Sequence, residues 1–318
     1  MKIVIPGGSG QVGTALARAF SKNGEEVVVL SRGGLQADHR IVQWDGKTLN
    51  SRWVDEIDGS DVIIGLAGRS VNCRYNETAR REIMDSRVDS VRVLGEAIAK
   101  ASSPPKVWLQ SSTATIYAHS FDKANDDITG KIGGNEPGAP ETWNFSIDVA
   151  TAWERATVEA ETTRTRKVLM RSAMTMGTGR GGIFDTMLGL VRKGLGGTAG
   201  NGKQFISWIH EDDFINAVRW LIDHEELSGP INLASPNPLP NREFMRIFRD
   251  CWGTSLGLPA MEWQLAIGAW LMGTETELIL KSRRVVPRRI TDSGFKFEFP
   301  HWLDACCNLC EHWRKENK

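Results

Sequence analysis

Net charge is missing from this chain. Acidic and basic residues balance at 39 each in 318 residues, so no field draws in nucleic acid or an anionic membrane surface. Long apolar runs are missing too: no stretch approaches the roughly 20 residues of a membrane span. The only early apolar segment closes at Pro6, so nothing there reads as a signal peptide. The five cysteines are odd in number and lack the spacing of a disulfide framework, which predicts a reduced, cytoplasmic protein. Cys306, Cys307 and Cys310 have no fourth ligand at a usual spacing, and Cys306 and Cys310 fall with Trp302, Leu303 and Trp313 at helical steps. They read as a core face, and no metal is expected. Tyrosine is scarcer still: Tyr75 and Tyr117 are the only two, and neither has a lysine four residues on.

What is present begins at once. Lys2 to Pro6 reads as a buried strand running into Gly7-Gly8-Ser9-Gly10-Gln11-Val12-Gly13. Val12, Ala15, Leu16, Ala19 and Phe20 then share one helical face, Gly24 stops the helix, and Glu26 to Leu30 reads as a second strand. Parallel strands need such a crossover. A first glycine permits the tight turn, a second admits a pyrophosphate, and a third lets the helix pack against the strand. The helix N-terminus offers N–H groups and a positive dipole end to the phosphates. Gly7, Gly10, Gln11, Val12 and Gly13 are therefore expected to hold a dinucleotide. Where an NAD site wants an acid after the second strand, this chain has Ser31-Arg32. A hydroxyl and a guanidinium suit a 2′-phosphate, so NADP is expected, with NADPH favoured over NADH.

Strands at 41–44, 61–67, 106–110 and 167–171 alternate with helices at 77–101 and 150–163. That alternation predicts an α/β fold with a doubly wound parallel sheet. Asp45, Leu66, Ala67, Gly68 and Ser111 fall at strand tips, where a cofactor lies. Arg74 and Tyr75, on the polar loop after the fourth strand, are candidates for substrate binding. The helix at 77–101 carries an apolar stripe and offers a homodimer face. Residues 121–142 read as loop. After Ser172 come glycine-rich loops, a helix over 183–193, a helix opened by His210-Glu211-Asp212-Asp213, a strand over 230–234, and helices at 241–252, 261–272 and 301–314. The expected division is an NADP-binding domain over 1–175, rejoined by 205–235. A smaller, mostly helical substrate domain takes 176–204 and 236–318, with a small-molecule substrate in the cleft.

Four segments fall in order: Gly7–Gly13, Leu66-Ala67-Gly68, Ser111-Ser112-Thr113-Ala114-Thr115-Ile116-Tyr117, and Trp208-Ile209-His210-Glu211-Asp212-Asp213. Together they resemble the extended short-chain dehydrogenase/reductases, the NAD(P)-dependent epimerases and dehydratases of nucleotide sugars. The last third, with Leu280–Pro287 and Gly294–Phe297, resembles an atypical epimerase-like branch with a helical C-terminal domain of unknown role. The resemblance implies a Rossmann domain and a catalytic hydroxyl at Thr113. It also implies a Tyr-x-x-x-Lys pair, which the chain lacks: the region reads Asn144-Phe145-Ser146-Ile147-Asp148-Val149-Ala150, and phenylalanine cannot shuttle a proton. Tyr117, close after Thr113, is a substitute catalytic candidate, or else a packed aromatic. His119 and His210 stand alone, and His210 is expected to brace the turn before its helix. The expected function is an NADP-dependent oxidoreductase or epimerase on a small polar substrate, nucleotide sugars among the classes. The alternative is a non-catalytic NADP(H)-binding sensor or scaffold.

Overall fold

The computed structural model describes residues 1–33, 39–134, 136, 140, 143–261 and 277–317. Ile3, Val4 and Ile5 give β1 (Lys2–Pro6) no polar face to show water, and it is buried on both sides. The chain continues through α1 (Gln11–Lys22), β2 (Glu26–Ser31), β3 (Arg40–Gln43), α2 (Ser51–Ile57) and β4 (Val62–Gly65). Next come α3 (Glu77–Lys100), β5 (Val107–Thr113), α4 (Asn144–Glu159) and β6 (Arg166–Ser172). Beyond lie β7 (Met174–Met176), α5 (Ile183–Arg192), β8 (Phe205–Ile206), β9 (Trp208–His210) and α6 (Glu211–Asp223). The last elements are β10 (Gly229–Leu233), β11 (Leu239–Pro240), α7 (Asn241–Trp252), helical turns at Glu277–Leu280 and Arg288–Asp292, and α8 (Trp302–Glu316).

Seven strands form one sheet in the order β10-β6-β5-β4-β1-β2-β3, and every neighbouring pair is parallel. The doubly wound sheet expected from the alternation is present. The chain winds outward from β1 to β3, then returns and winds the other way from β4. The strand order thus reverses between β1 and β4, and a crevice opens there at the carboxyl ends. One face of the sheet buries Leu16, Phe20, Phe214 and Val218 under α1 and α6. The other buries Trp53, Val91, Leu94, Ile98 and Trp108 under α2 and α3. A separate core gathers Phe184, Leu188, Phe244, Phe248 and Trp302 from α5, α7 and α8, with Phe244 and Trp302 stacked at 4.0 Å.

Three expectations change. The helix expected at 150–163 starts at Asn144, because Ile147, Ala150, Trp153 and Glu154 continue its buried stripe toward the N-terminus. The cysteines are not all reduced: α7 and α8 pack side by side, and Cys251 and Cys307, with Cα atoms 4.9 Å apart, form a disulfide across 56 residues. That separation leaves no local trace in the sequence. Cys306 and Cys310 are buried thiols of the core, as expected. Finally, α2 lies in a stretch not expected to be helical. The helix expected at 261–272 falls, apart from Met261, outside the described residues. Among the described residues no helix is long and apolar enough to cross a membrane, and no cluster could hold a metal ion.

Candidate functional site

The crevice is built on the glycine turn. Gly7 adopts φ +78, and a Cβ there would come within 2.5 Å of the Ala67 Cα at the tip of β4. Only a glycine lets β1 leave the sheet against that neighbour. A Cβ on Gly13 would meet the Gly8 Cα at 2.4 Å, so this glycine seats α1 on the turn. Gly10 is different: a Cβ there meets nothing within 4 Å. It caps α1 without a side-chain hydrogen bond, and no acid sits in the first turn. The first amides of α1 therefore face an open concavity with a positive dipole end. A pyrophosphate suits that cradle in shape and in charge.

Gln11 spans outward from this cradle. Its Nε2 donates to the Gly177 carbonyl at 3.4 Å, and a Cβ on Gly182 would strike its Oε1 at 2.3 Å. The loop 177–182 thereby lies along the mouth of the turn. At the other end, Arg32, Gln43, Trp44, Asp45, Asn50 and Arg52 line a cleft of about 600 Å³. Arg52, from the unexpected α2, brings a second guanidinium to it. The Ser31 hydroxyl accepts the Gly33 amide at 3.4 Å. Asp45 accepts the amides of Lys47 and Thr48; partial burial opposes the effect, yet these donors hold its carboxyl below the usual range. It shapes its own turn at the cleft wall.

The tips of β4 and β5 lie at the carboxyl edge of the sheet, beside the crevice. Thr113 is half-buried and its Oγ1 accepts the Thr115 amide at 3.1 Å, capping the short 3-10 turn Ala114–Ile116. Tyr117, expected as a catalytic candidate, is corrected to a structural role. It is 2% exposed, its hydroxyl donates to Asn232 Oδ1 at 2.8 Å, and it accepts from Arg171 Nη1 at 2.9 Å. Burial pushes its phenol up despite the pull of Arg171. A hydroxyl with both functions engaged inside the protein has no proton to move to a substrate.

Tyr75 is half-buried and lies on the other side. Its ring packs edge-on against Phe145, with centroids 5.1 Å apart. Four residues after Phe145, Val149 is buried and apolar. The loop bearing Arg74 and Tyr75 is tied down by Asn76, which caps α3 through the Ala79 amide, and by Arg80, whose Nε donates to the Tyr75 carbonyl at 2.9 Å. Three more residues reach in from the segment 277–283. Lys281 Nζ donates to the Thr115 carbonyl at 3.0 Å, Arg283 Nε donates to Thr115 Oγ1 at 3.2 Å, and Glu277 Oε2 accepts from Ser146 at 2.6 Å. Arg87 lies against Gly68, where a Cβ would meet its Cζ at 3.1 Å; sequence reasoning missed it, together with Glu277, Lys281 and Arg283, whose neighbours are distant in the chain.

His210 braces its helix, as expected: Nδ1 accepts the Asp212 amide at 3.1 Å, the ring stacks on Phe299, and burial lowers its pKa. His119 is likewise structural, its Nδ1 accepting the Ser282 amide at 2.8 Å. Glu211 stands against the loop over the cradle, since a Cβ on Gly177 would overlap its carboxylate. Burial, with help from Asp212, pushes its pKa up to about 7. An acid raised in this way holds its proton more tightly folded than unfolded. Stability therefore falls as pH climbs from the unfolded value of 4.5 to about 7, and is flat above. Glu211→Gln is expected to raise the unfolding free energy at pH 8 by on the order of 1–2 kcal/mol, discounted for partial exposure, with little gain at pH 4. Urea unfolding at the two pH values checks this; equal gains at both would exclude titration as the cause.

Residues 3–234 match the family model described as the NAD dependent epimerase/dehydratase family. Residues 263–309 match a domain of unknown function, DUF1731. The chain is 30% identical over 305 residues to the epimerase family protein SDR39U1 of Mus musculus, covering 94% of this chain and 96% of that protein. It is 28% identical over 302 residues to the epimerase family protein YfhF of Bacillus subtilis (strain 168), covering 94% of each. A crystal structure of the human epimerase family protein SDR39U1 with NADPH matches with a TM-score of 0.84 and 29% identity, over 98% of this chain and 99% of that one.

Proposed function

The chain belongs to the NAD dependent epimerase/dehydratase family, and on that premise we propose that it is an NADP-dependent oxidoreductase or epimerase acting on a small polar substrate. The observation that carries the reading is the open backbone cradle at Gly10, together with a cleft lined by Arg32 and Arg52 beyond the end of β2. In this reading Gly7, Gly10, Gln11, Val12 and Gly13 hold the pyrophosphate. Ser31, Arg32 and Arg52 take the 2′-phosphate, with Asp45 shaping the cleft. Leu66, Ala67, Gly68 and Ser111 line the nicotinamide end. When bound there, the nicotinamide supplies or accepts a hydride. Thr113 donates a hydrogen bond to the oxygen on which charge develops, and Arg74 and Tyr75 face the substrate.

The test is a titration with NADPH and NADH, followed by energy transfer from tryptophan to the nicotinamide. A turnover panel of UDP-glucose, UDP-galactose and glyceraldehyde accompanies it. Arg32→Ala is expected to weaken NADPH by roughly 10–100-fold, about 1.4–2.7 kcal/mol, while changing NADH little. Equal loss for both would overturn the 2′-phosphate assignment. One observation favours a second reading, a non-catalytic NADP(H) sensor: Phe145 and Val149 occupy the region of the family's Tyr/Lys pair. Substrate-dependent hydride transfer that is lost in Thr113→Ala would exclude it.

A further inference from the structure

We infer that α8 belongs to the cofactor site: through Trp313 and Asp185 it holds the loop 177–182 as a wall of the pyrophosphate cradle. The inference rests on the NADP-dependent reading above and gives the C-terminal helix a share in that site. Asp185 stands in the first turn of α5, and its two carboxylate oxygens have different partners. Oδ2 accepts the Gly181 amide at 2.9 Å, the backward reach of a capping box. Oδ1 accepts the indole N–H of Trp313 at 3.0 Å, across 128 residues of chain. The first bond bends the loop, and Gly181 meets the bend at φ +73, a conformation that favours glycine. The second bond is not needed to start a helix. It joins the first turn of α5 to the end of α8.

The loop passes this hold on to the cradle. Gln11, the first residue of α1 and the neighbour of Gly10, lies against it at three positions. Its Nε2 donates to the Gly177 carbonyl at 3.4 Å. A Cβ on Gly179 would come within 3.1 Å of its Cγ, and one on Gly182 within 2.3 Å of its Oε1. A side chain at 182 has no room there, so the loop backbone itself lies on Gln11. The other end of the connection is equally firm. The Cys251–Cys307 disulfide ties α8 to α7, and Arg314 Nη2 donates to the Trp252 carbonyl at 2.8 Å. The Trp313 ring packs edge-on to Trp252 with centroids 5.7 Å apart, and the Arg192 guanidinium lies 4.6 Å over it. α8 begins inside the segment matched by the domain of unknown function. A wall fixed before the ligand arrives avoids the cost of ordering a glycine-rich loop on binding. Asp185 and Trp313 are thus positioning residues, acting on the cofactor through the loop.

Calorimetric titration of the full chain with NADPH and with adenosine 2′,5′-bisphosphate tests this. The bisphosphate carries the 2′-phosphate but neither the second phosphate of the pyrophosphate nor the nicotinamide, so it needs the Arg32 cleft and not the wall. Trp313→Phe keeps a ring on Trp252, removes one N–H, and leaves the bond between Asp185 and Gly181 in place. It is expected to weaken NADPH by roughly 5–10-fold, the cost of a loop that has to be ordered on binding, and to bind the bisphosphate as the wild type does. Asp185→Ala loses both bonds and is expected to weaken NADPH further. Gln11→Ala combined with Trp313→Phe is expected to bind NADPH no worse than Gln11→Ala alone, because both changes release the same loop. A Trp313→Phe protein that binds NADPH like the wild type overturns the inference. So do equal losses for the two ligands, or losses that multiply in the double variant, since the residues then act through the fold at large. In each of these cases NADPH binding by the wild type leaves the cofactor reading standing. Wild-type protein that binds no NADPH overturns that reading, and the role of α8 with it.

Discussion

Glu154→Ala is expected to lower the unfolding free energy by about 3–5 kcal/mol, a large share of what a domain has. Glu154 on α4 and Arg171 on β6 are each 8% exposed. They pair through two parallel bonds, Arg171 Nε to Oε1 at 2.8 Å and Nη2 to Oε2 at 2.7 Å. Ser112 adds a third, donating to Oε1 at 2.6 Å. From Arg171 the network continues through the Tyr117 hydroxyl to Asn232 on β10, joining four elements in one polar chain. Removing the carboxylate leaves the guanidinium buried with one partner instead of three acceptor contacts, and orphans the Ser112 donor. The cost is mainly that of an uncompensated charge rather than of a lost attraction. Glu154→Met with Arg171→Met removes both charges and is expected to cost less than Glu154→Ala alone. Urea unfolding decides: a loss for Glu154→Ala below about 1 kcal/mol would mean the guanidinium finds water and the pair is effectively a surface pair.

The same network explains what could and could not be read in advance. β1 and β4 are legible because a strand buried on both faces is almost purely apolar, and Gly7–Gly13 because its neighbours are a strand and a helix. From these the sheet follows. Tyr117 falls in a segment resembling a catalytic motif, and nothing local reveals that Arg171 and Asn232, 54 and 115 residues away, will take up its hydroxyl. Arg87 in the middle of α3 reads as one of many solvated charges until topology sets the β4 tip on it. Arg283 and Lys281 belong to a stretch whose resemblance assigns no residue a role, and they reach the Thr113 turn from more than 160 residues away. The start of α4 is hidden because Trp143 supplies no capping side chain. The disulfide is hidden because Cys251 and Cys307 meet only once α7 and α8 are packed. Local pattern gave the cradle; the contacts that Lys281 and Arg283 make to the Thr113 turn are tertiary.

Two alanines three residues apart are expected to behave in opposite ways, and the contrast tests the cradle. Gly13→Ala puts a methyl 2.4 Å from the Gly8 Cα and 2.6 Å from its carbonyl carbon and oxygen. These are backbone atoms of a turn held by the Gly8 amide on the Ile5 carbonyl at 3.1 Å, so α1 has to lift off the sheet. A cost of about 1–3 kcal/mol is expected, together with loss of NADPH binding, because the amides of the first turn move with the helix. Gly10→Ala meets nothing within 4 Å, and its φ of −79 in an extended conformation is open to any residue. Its folded state is unstrained and its unfolded state less free, so stability is expected to hold or rise by about 0.4–1 kcal/mol. Its methyl nevertheless fills the space a pyrophosphate needs, and NADPH affinity is expected to fall by roughly 100-fold, about 2.7 kcal/mol. Thermal unfolding and NADPH titration of both variants separate the effects. A Gly10→Ala protein that binds NADPH like the wild type would place the phosphates elsewhere and leave the turn as a packing device between β1 and α1.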